Sequence, residues 1–346
     1  MKITDLFDLA FFNKMIEDGF VALKEHPTHP DVVIANYTQK TQGNYHWNEV
    51  TEQCRGLIYN SQTGEVIARP FRKFFNHDEP HAPVLMPDQL VRAFDKMDGS
   101  LGILYCLDGE WQVATRGSFT SEQAIKATEM LKNYTFTDTP GSTIVVEIIY
   151  PENRIVVDYG DAEELVYLGH VDNWTGQFGY LPERWSGRAA PLLYAGRLSG
   201  LFKQSERRNA EGFVVHTESG EMVKVKYEDY VRLHRIVTKL SERAVWEHMG
   251  GPNGDVSDLI AQIPEEHANW VIEVCYALKM AYVSRDQIVK SELSYVQELP
   301  TRKDQALHLK SRNLPPGVMP AVFRALDGKD YSEVLWKVLK PKGDEK

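Results

Sequence analysis

Cysteine is scarce in this 346-residue chain: there are three, Cys54, Cys106 and Cys275, an odd number with no CxxC spacing. That excludes a disulfide framework and a cysteine zinc site, and points to free thiols in a reducing compartment. Long apolar runs are missing as well. None approaches the roughly 20 residues that cross a bilayer, so no membrane role is expected. Basic residues are outnumbered, 39 Lys and Arg against 49 Asp and Glu, for a net charge of −10. Bulk charge therefore gives no support to non-specific nucleic-acid binding, and a nucleic-acid partner would have to be held by a local basic patch. The N-terminal MKITDLFDLAFF sets acids among its apolar positions and lacks a small-residue cleavage site, which reads against a signal peptide. There is no internal repeat and no low-complexity tract. What is left is an acidic protein, expected in the cytoplasm, whose 42% hydrophobic content suffices for a full core and for two domains.

The pattern along the chain supports that division. Residues 4–18 have helical spacing, with Thr4 able to cap the helix and Gly19 to end it. VVIANYT, CRGLIYN and EVIARPF read as strands, the last two joined by a turn at SQTG. LGILYC and WQVATRG flank Asp108-Gly109, a strong hairpin signal. A helix is expected over 121–134 with Ser121 at its start, then strands at TIVVEII, RIVV and LVYLGH, and a hairpin of GFVVHT and MVKVKY around residues 218–221. From about residue 227 the spacing turns helical: YEDYVRLHRIVTKL, the long segment 267–290, and segments near 302–312, 318–326 and 331–339, punctuated by Gly250-Gly251-Pro252, Pro300 and Pro315-Pro316. The expected fold is α+β, with an antiparallel-sheet domain over 1–235 and an all-helical domain over 236–346.

Charge stands where a core strand should be apolar at four places: Lys96-Met97-Asp98-Gly99-Ser100, Glu147 inside TIVVEIIY, Glu211-Gly212 heading GFVVHT, and Lys224 and Lys226 in MVKVKY. Burying an unpaired carboxylate costs several kcal/mol, so Glu147 should face a pocket, a cation or a hydrogen-bond network. Strand side chains alternate, which puts Lys224 and Lys226 on one face and Val223, Val225 and Tyr227 on the other. Two ammonium groups on one face of an apolar strand make sense if a polyanion lies between them. The lysine pair suits a triphosphate, and the carboxylates suit a hydrated Mg²⁺. An amine attacks phosphorus only when deprotonated, a state that nearby cations and desolvation favour. Lys96 is thus placed to attack a nucleotide α-phosphate.

Lys96-x-Asp98-Gly99-Ser100 resembles the nucleotidyl-lysine motif of the covalent nucleotidyltransferases, the ATP-dependent polynucleotide ligases and capping guanylyltransferases. Glu147, Glu211-Gly212 and Lys224-Val225-Lys226 follow in the order of that superfamily's later motifs. CRGLIYN and RPFRKFFNHDE upstream of the lysine, TRGS after it, and PENRIVVDY after Glu147 resemble the tRNA-repair RNA ligase of the T4-phage type, over roughly residues 35–230. The resemblance implies that Lys96 takes AMP from ATP, releasing pyrophosphate, that AMP moves to an RNA 5′-phosphate, and that an RNA 3′-hydroxyl then displaces it. It implies Lys224 and Lys226 at the α-phosphate, and Arg55, Lys73 and Arg116 on the outer phosphates. Arg116 stands where the family carries lysine, exchanging a point charge for a fork. Glu147 and Glu211 would orient metal waters or the ribose, Asp98 and Gly99 would shape the turn that presents Lys96, and Val214 would pack on adenine. The implied cofactors are ATP and Mg²⁺, with Mn²⁺ as a substitute. The implied partner is RNA with 5′-phosphate and 3′-hydroxyl ends, nicked tRNA among the candidates, and the implied setting is a monomer in the cytoplasm of a bacterium or virus-infected cell.

Two alternatives stay open. The same lysyl-nucleotide chemistry could serve DNA nicks or GTP-dependent capping, against which the helical C-terminal region counts, since those enzymes usually continue into a small β-barrel. A non-catalytic RNA-end binding protein would be expected to have lost Lys96 or a later lysine. Elsewhere, His26/His29 and His77/His81 have metal-compatible spacing but sit among prolines and read as surface residues. Phe71, Phe74 and Phe75 read as core rather than as a base-stacking platform, as do Trp246, Trp270, Tyr276 and Trp336. The basic run 301–313 reads as a solvated helix face, and an ion pair of Glu147 with Arg154 or Lys224 is its structural alternative.

Overall fold

A computed structural model describes residues 1–138, 140–237, 240–263 and 267–341. The chain forms two compact units, Met1–Val237 and Thr238–Lys346. No described helix is long and apolar enough to cross a membrane.

The first unit carries β1 (Val21–Glu25), β2 (Val32–Tyr37), β3 (Arg55–Asn60), β4 (Val66–Ala68), β5 (Phe75–Asn76), β6 (Leu90–Asp95) and β7 (Ser100–Leu107). Then come β8 (Glu110–Ala114), β9 (Ser142–Ile149), β10 (Glu164–Asp172), β11 (Phe178–Gly179), β12 (Leu192–Arg197), β13 (Gly212–Thr217) and β14 (Met222–Lys226). They build three sheets, ordered β1-β2-β3-β4, β11-β10-β9-β7-β8 and β12-β6-β13-β14-β5. Every pairing is antiparallel except β14 with β5.

Alternation decides what each face meets. Val33, Ala35, Leu57 and Tyr59 of the first sheet pack with Phe12 and Met15 of the helix Leu9–Glu17. Val32, Ile34 and Ile58 on its other face join Ile103, Tyr105 and Val145 of the second sheet. The second sheet's opposite face, Leu104, Val113, Ile144, Val146 and Ile148, closes on Ala127, Met130 and Leu131 of the helix Glu122–Leu131. In the third sheet Val91, Ala93, Phe213, Val215, Val223 and Val225 share a core with Leu198 and Leu201. Its remaining face is turned to the site.

Several local expectations are met. The Asp108-Gly109 turn has φ of 50° and 82°, the left-handed pair that a two-residue hairpin requires. Ser121 accepts a hydrogen bond from the amide of Ala124. Others need correcting. The first helix begins at Leu9 with Asp8, not Thr4, as its cap. RIVV is no strand: the amides of Val156 and Val157 donate to the Asp98 carboxylate at 2.9 and 2.8 Å instead of to a neighbouring strand. β6, β1 and β12 were not anticipated, since Arg92 interrupts the apolar pattern of β6 and most of β1 and β12 is exposed. His26 is buried, against the rings of Phe119 and Tyr105, whereas His77 and His81 are exposed.

The second unit is helical: Glu242–Met249, Ser257–Gln262, Ala268–Val296, Arg302–Ser311, Val318–Leu326 and Ser332–Lys337. The helix expected over 227–240 runs from Glu228 to Val237, in the first unit, and residues 238 and 239 lie outside the described ones. Val289, Val296, Leu309, Ala321, Val322 and Leu335 form the core of this unit. Trp336 is buried and stacks on Trp246 at 5.8 Å, but Tyr276 is 65% exposed and is not core. In the basic run, Arg302 pairs with Asp327 and Arg312 with Glu292, while Lys303 and Lys310 are exposed. That is a solvated helix face.

Candidate active site

The site-facing side of the third sheet is a grid. Phe213 pairs with Asp95, and the Lys96 amide donates to the Gly212 carbonyl at 3.0 Å, carrying the ladder one residue past β6. The register then sets three rows across β6, β13 and β14: Lys96, Gly212 and Lys226; Phe94, Val214 and Lys224; Arg92, His216 and Met222. Each row is displaced by about 6.6 Å, two strand residues. The opposite parity of the same strands is the buried apolar core described above. Over the grid lies a cavity of about 550 Å³, ordinary for a small-molecule site.

The first row is held by a carboxylate. Glu211, 2% exposed, receives the Lys96 ammonium at 2.8 Å on one oxygen and the Lys226 ammonium at 2.8 Å on the other. Regular alternation would turn Glu211 away from Lys226, the partner of Gly212. Gly212 has φ of 143°, which breaks the alternation, and a Cβ there would lie 2.1 Å from the Val225 carbonyl oxygen, so glycine is required. Burial pushes the Glu211 carboxyl up, but Lys226 and Lys96 together outweigh it and hold the group below its ordinary range.

Glu147 enters from the second sheet. It shares the parity of Val145, so its face of β9 runs from the core straight into the cavity. Its carboxylate accepts the Gly99 amide at 3.0 Å. Burial pushes its pKa up to about 7, with Lys96 pulling down and Glu211 and Asp98 pushing further up. Arg154 pairs instead with Asp158. A Cβ on Gly99 would lie 2.5 Å from the Ile148 carbonyl oxygen, which fixes glycine where the turn after Lys96 crosses β9.

Asp98 is buried and braces that turn. It takes Val156, Val157 and, at 2.7 Å, the Tyr230 hydroxyl, while its own amide donates to Tyr159 Oη at 2.9 Å. Arg55 and Arg116 line the cavity from the first sheet and from the segment after β8. Arg116 donates to Tyr37 Oη at 2.6 Å. Val214 and Lys224 line it from the middle row, with Lys224 5.1 Å from the Phe74 ring centre.

Lys96, Gly99, Arg55, Arg116, Glu147, Val214, Lys224 and Lys226 therefore converge on one cavity. Two expected residues sit differently. Lys73 is 2% exposed and does not line the cavity; its ammonium lies 3.8 Å from the Phe75 ring centre and 5.0 Å from that of Trp47, and donates to the Phe74 carbonyl. Cation–π contact offsets the loss of water there. Glu211, expected to face a metal, has an ammonium on each oxygen. Among the described residues no cluster of three His, Cys, Asp or Glu could hold a metal. The donor set fits a largely hydrated Mg²⁺ leaning on Glu147 and on phosphate oxygens, and does not fit an all-protein cage. Phe71 is buried in the core with Ile58 and Ile103, Phe74 packs against that cluster and Phe75 is buried, as expected; Phe71 and Phe74 line the cavity as well, as do Phe94, His216 and Met222. The last three lie two residues from Lys96, Val214 and Lys224, so strand alternation applied to each lysine and valine would have found them.

An RNA ligase family model, of the T4 type, matches residues 53–190. That stretch resembles an RNA ligase. The matched segment includes Arg55, Lys96, Arg116 and Glu147. Over 296 residues the chain is 27% identical to the proposed bifunctional polynucleotide kinase/RNA ligase of Autographa californica nuclear polyhedrosis virus, covering 72% of this chain and 40% of that one. It is 29% identical over 243 residues to the proposed RNA ligase of Thermovibrio ammonificans, covering 64% and 62%. It is 31% identical over 216 residues to RNA ligase 1 of bacteriophage TS2126, covering 54% and 52%. The chain thus spans between 40% and 62% of the length of these RNA ligase relatives.

Proposed function

We propose that this protein is an ATP-dependent RNA ligase that joins 5′-phosphate and 3′-hydroxyl ends through a lysyl-AMP at Lys96. The observation that carries the reading is the first row of the grid: a largely buried primary amine, 2.8 Å from Glu211, on the wall of a nucleotide-sized cavity that Arg55, Arg116, Lys224 and Lys226 also line. Attack requires the neutral amine, and Glu211 and Glu147 are the acceptors near its proton. The Lys96 nitrogen then bonds to the α-phosphorus as the bond to the β-phosphate oxygen breaks, and pyrophosphate leaves with that electron pair. An RNA 5′-phosphate oxygen displaces the lysine from phosphorus, and a 3′-hydroxyl displaces AMP. Fixed cations aimed at the phosphates supply the stabilisation such transfers need. Lys224 and Lys226 face the α-phosphate, Arg55 and Arg116 the outer ones, and Val214 the base. When bound, Mg²⁺ neutralises phosphate charge, and Glu147 is the residue to hold its waters. The first unit is the adenylation domain and the second a helical accessory domain; nicked tRNA is the first substrate to try, with the protein acting as a monomer in a cytoplasm.

Intact-mass measurement after incubation with ATP and Mg²⁺ tests the first step. One added AMP on the wild type and none on Lys96→Ala is expected; a labelled Lys96→Ala protein overturns the assignment. Labelling by GTP in place of ATP would favour capping, and sealing of DNA nicks but not RNA ends would favour a DNA ligase.

A further inference from the structure

The third row of the grid holds a polar group that the proposed chemistry leaves unused. His216 is 5% exposed. It lines the nucleotide cavity at the end opposite Lys96 and also lines a neighbouring cavity of about 570 Å³ on the same sheet face, with Arg92 and Phe178. Its ring packs 4.0 Å from Phe178 and, edge-on, 5.3 Å from Phe94. No described residue hydrogen-bonds its nitrogens. The buried His26 and the part-buried His170 and His308 differ in this, bonding to Thr28 and His29, to Tyr167 and to Glu292 respectively. The ring nitrogens are not sealed in the core, since His216 lines both cavities, and a polar ring on so aromatic a wall is of use only if something in the cavity bonds it. A ligand in the cavity can supply the missing partner.

The position says which part of the ligand. The phosphates belong with Lys96 and Lys226, so the base extends over Phe94 and Val214 toward His216, two rows or about 13 Å further along the strands. Burial, aided by Arg92, pushes the imidazole down to about 3, so near neutral pH it keeps one acceptor nitrogen. Adenine offers an amine at its 6-position, whereas guanine and hypoxanthine offer a carbonyl oxygen there.

We propose that His216 is a specificity-determining residue, accepting a hydrogen bond from the 6-amino group of the adenine base. This rests on the lysyl-AMP reading above and adds the side chain that reads the base. The test compares ATP with inosine triphosphate, which replaces the 6-amino group by a carbonyl and protonates the adjoining N1, in single-turnover formation of the covalent adduct. Wild type should favour ATP by about tenfold or more, the worth of one hydrogen bond. His216→Leu should raise the KM for ATP about tenfold, bring the two nucleotides to near parity, and leave the maximal rate and inhibition by pyrophosphate little changed. His216→Gln, which restores an acceptor, should recover part of the preference and carries the test if the leucine variant does not fold. A wild type indifferent to the two nucleotides, or a preference that survives in His216→Leu, overturns the proposal while leaving the ligase reading standing. A wild type that forms no adduct with ATP overturns both.

Discussion

The two ends of the cavity are built on the same three strands and solve opposite problems. At the Lys96 end the difficulty is too much charge in too little water. Two ammonium groups are kept close only because Glu211 bonds both, and Gly212 gives it the backbone geometry to do so. At the His216 end the difficulty is a polar ring in an apolar wall, held by Phe178 and Phe94 and left without a protein partner. One end has its two ammonium groups bridged by a carboxylate and keeps positive charge for a ligand, and the other offers a ring nitrogen for a ligand to bond. A grid with a period of two residues can carry both because its reverse face is uniformly apolar and anchors the strands without regard to what the site face bears.

The sharpest way to break this contrast is at Glu211. Glu211→Gln removes the shared counter-ion and leaves two ammonium groups confined together. A loss of about 3 kcal/mol in urea unfolding is expected, with covalent adduct formation falling at least a hundredfold; a variant as stable and active as wild type would show that the pairing is incidental. Gly212→Ala comes next. Its Cβ meets the Val225 carbonyl at 2.1 Å, and the left-handed backbone strains any side chain, so about 2 kcal/mol or more should be lost.

The pH dependence then sharpens the comparison, because the ends have opposite signs. Glu147 is raised from 4.5 to about 7 in the folded state, so the folded protein binds the proton more tightly. Its contribution is complete below pH 4.5 and is lost as pH rises through 7. His216 is lowered from 6.5 to about 3, so its contribution is complete above pH 6.5 and is lost as pH falls toward 3. Unfolding measured across pH 4–8 should show Glu147→Gln flattening the decline toward neutral pH and His216→Leu flattening the decline toward acid. Matching slopes in both variants would refute the assignment of environments. The smallest effect is expected within the second unit: Arg302→Ala removes an exposed pair with Asp327 and should change stability by about 0.5 kcal/mol or less.

Much of this was legible in the residues because strand chemistry is local. Charge inside apolar strands at 96, 147, 211, 224 and 226 announced a site, and the hairpin at Asp108-Gly109 and the cap at Ser121 follow from the backbone preferences of a few neighbours. The misreadings have non-local causes. RIVV resembles a strand by composition, but Asp98, more than fifty residues upstream, takes its amides. Lys73 carries the charge of a phosphate ligand, but Trp47 and Phe75 enclose it. Glu211 reads as a metal ligand until the two lysines are seen on its oxygens. Phe94, His216 and Met222 share a strand face with Lys96, Val214 and Lys224, two residues away, but it is the register that sets them side by side.

By itself the sequence determined the alternation of charged and apolar residues along each strand, the turns between strands, and hence which side chains could share a face, since these follow from the two-residue repeat and from backbone preferences that act over a few residues. Only the tertiary structure decided which faces meet: that Glu211 bridges Lys96 and Lys226, that Glu147 enters from a second sheet, and that His216 stands at the far end of the cavity. Those outcomes depend on strand register and sheet packing between segments that lie tens of residues to more than a hundred residues apart, and no local pattern encodes such distances.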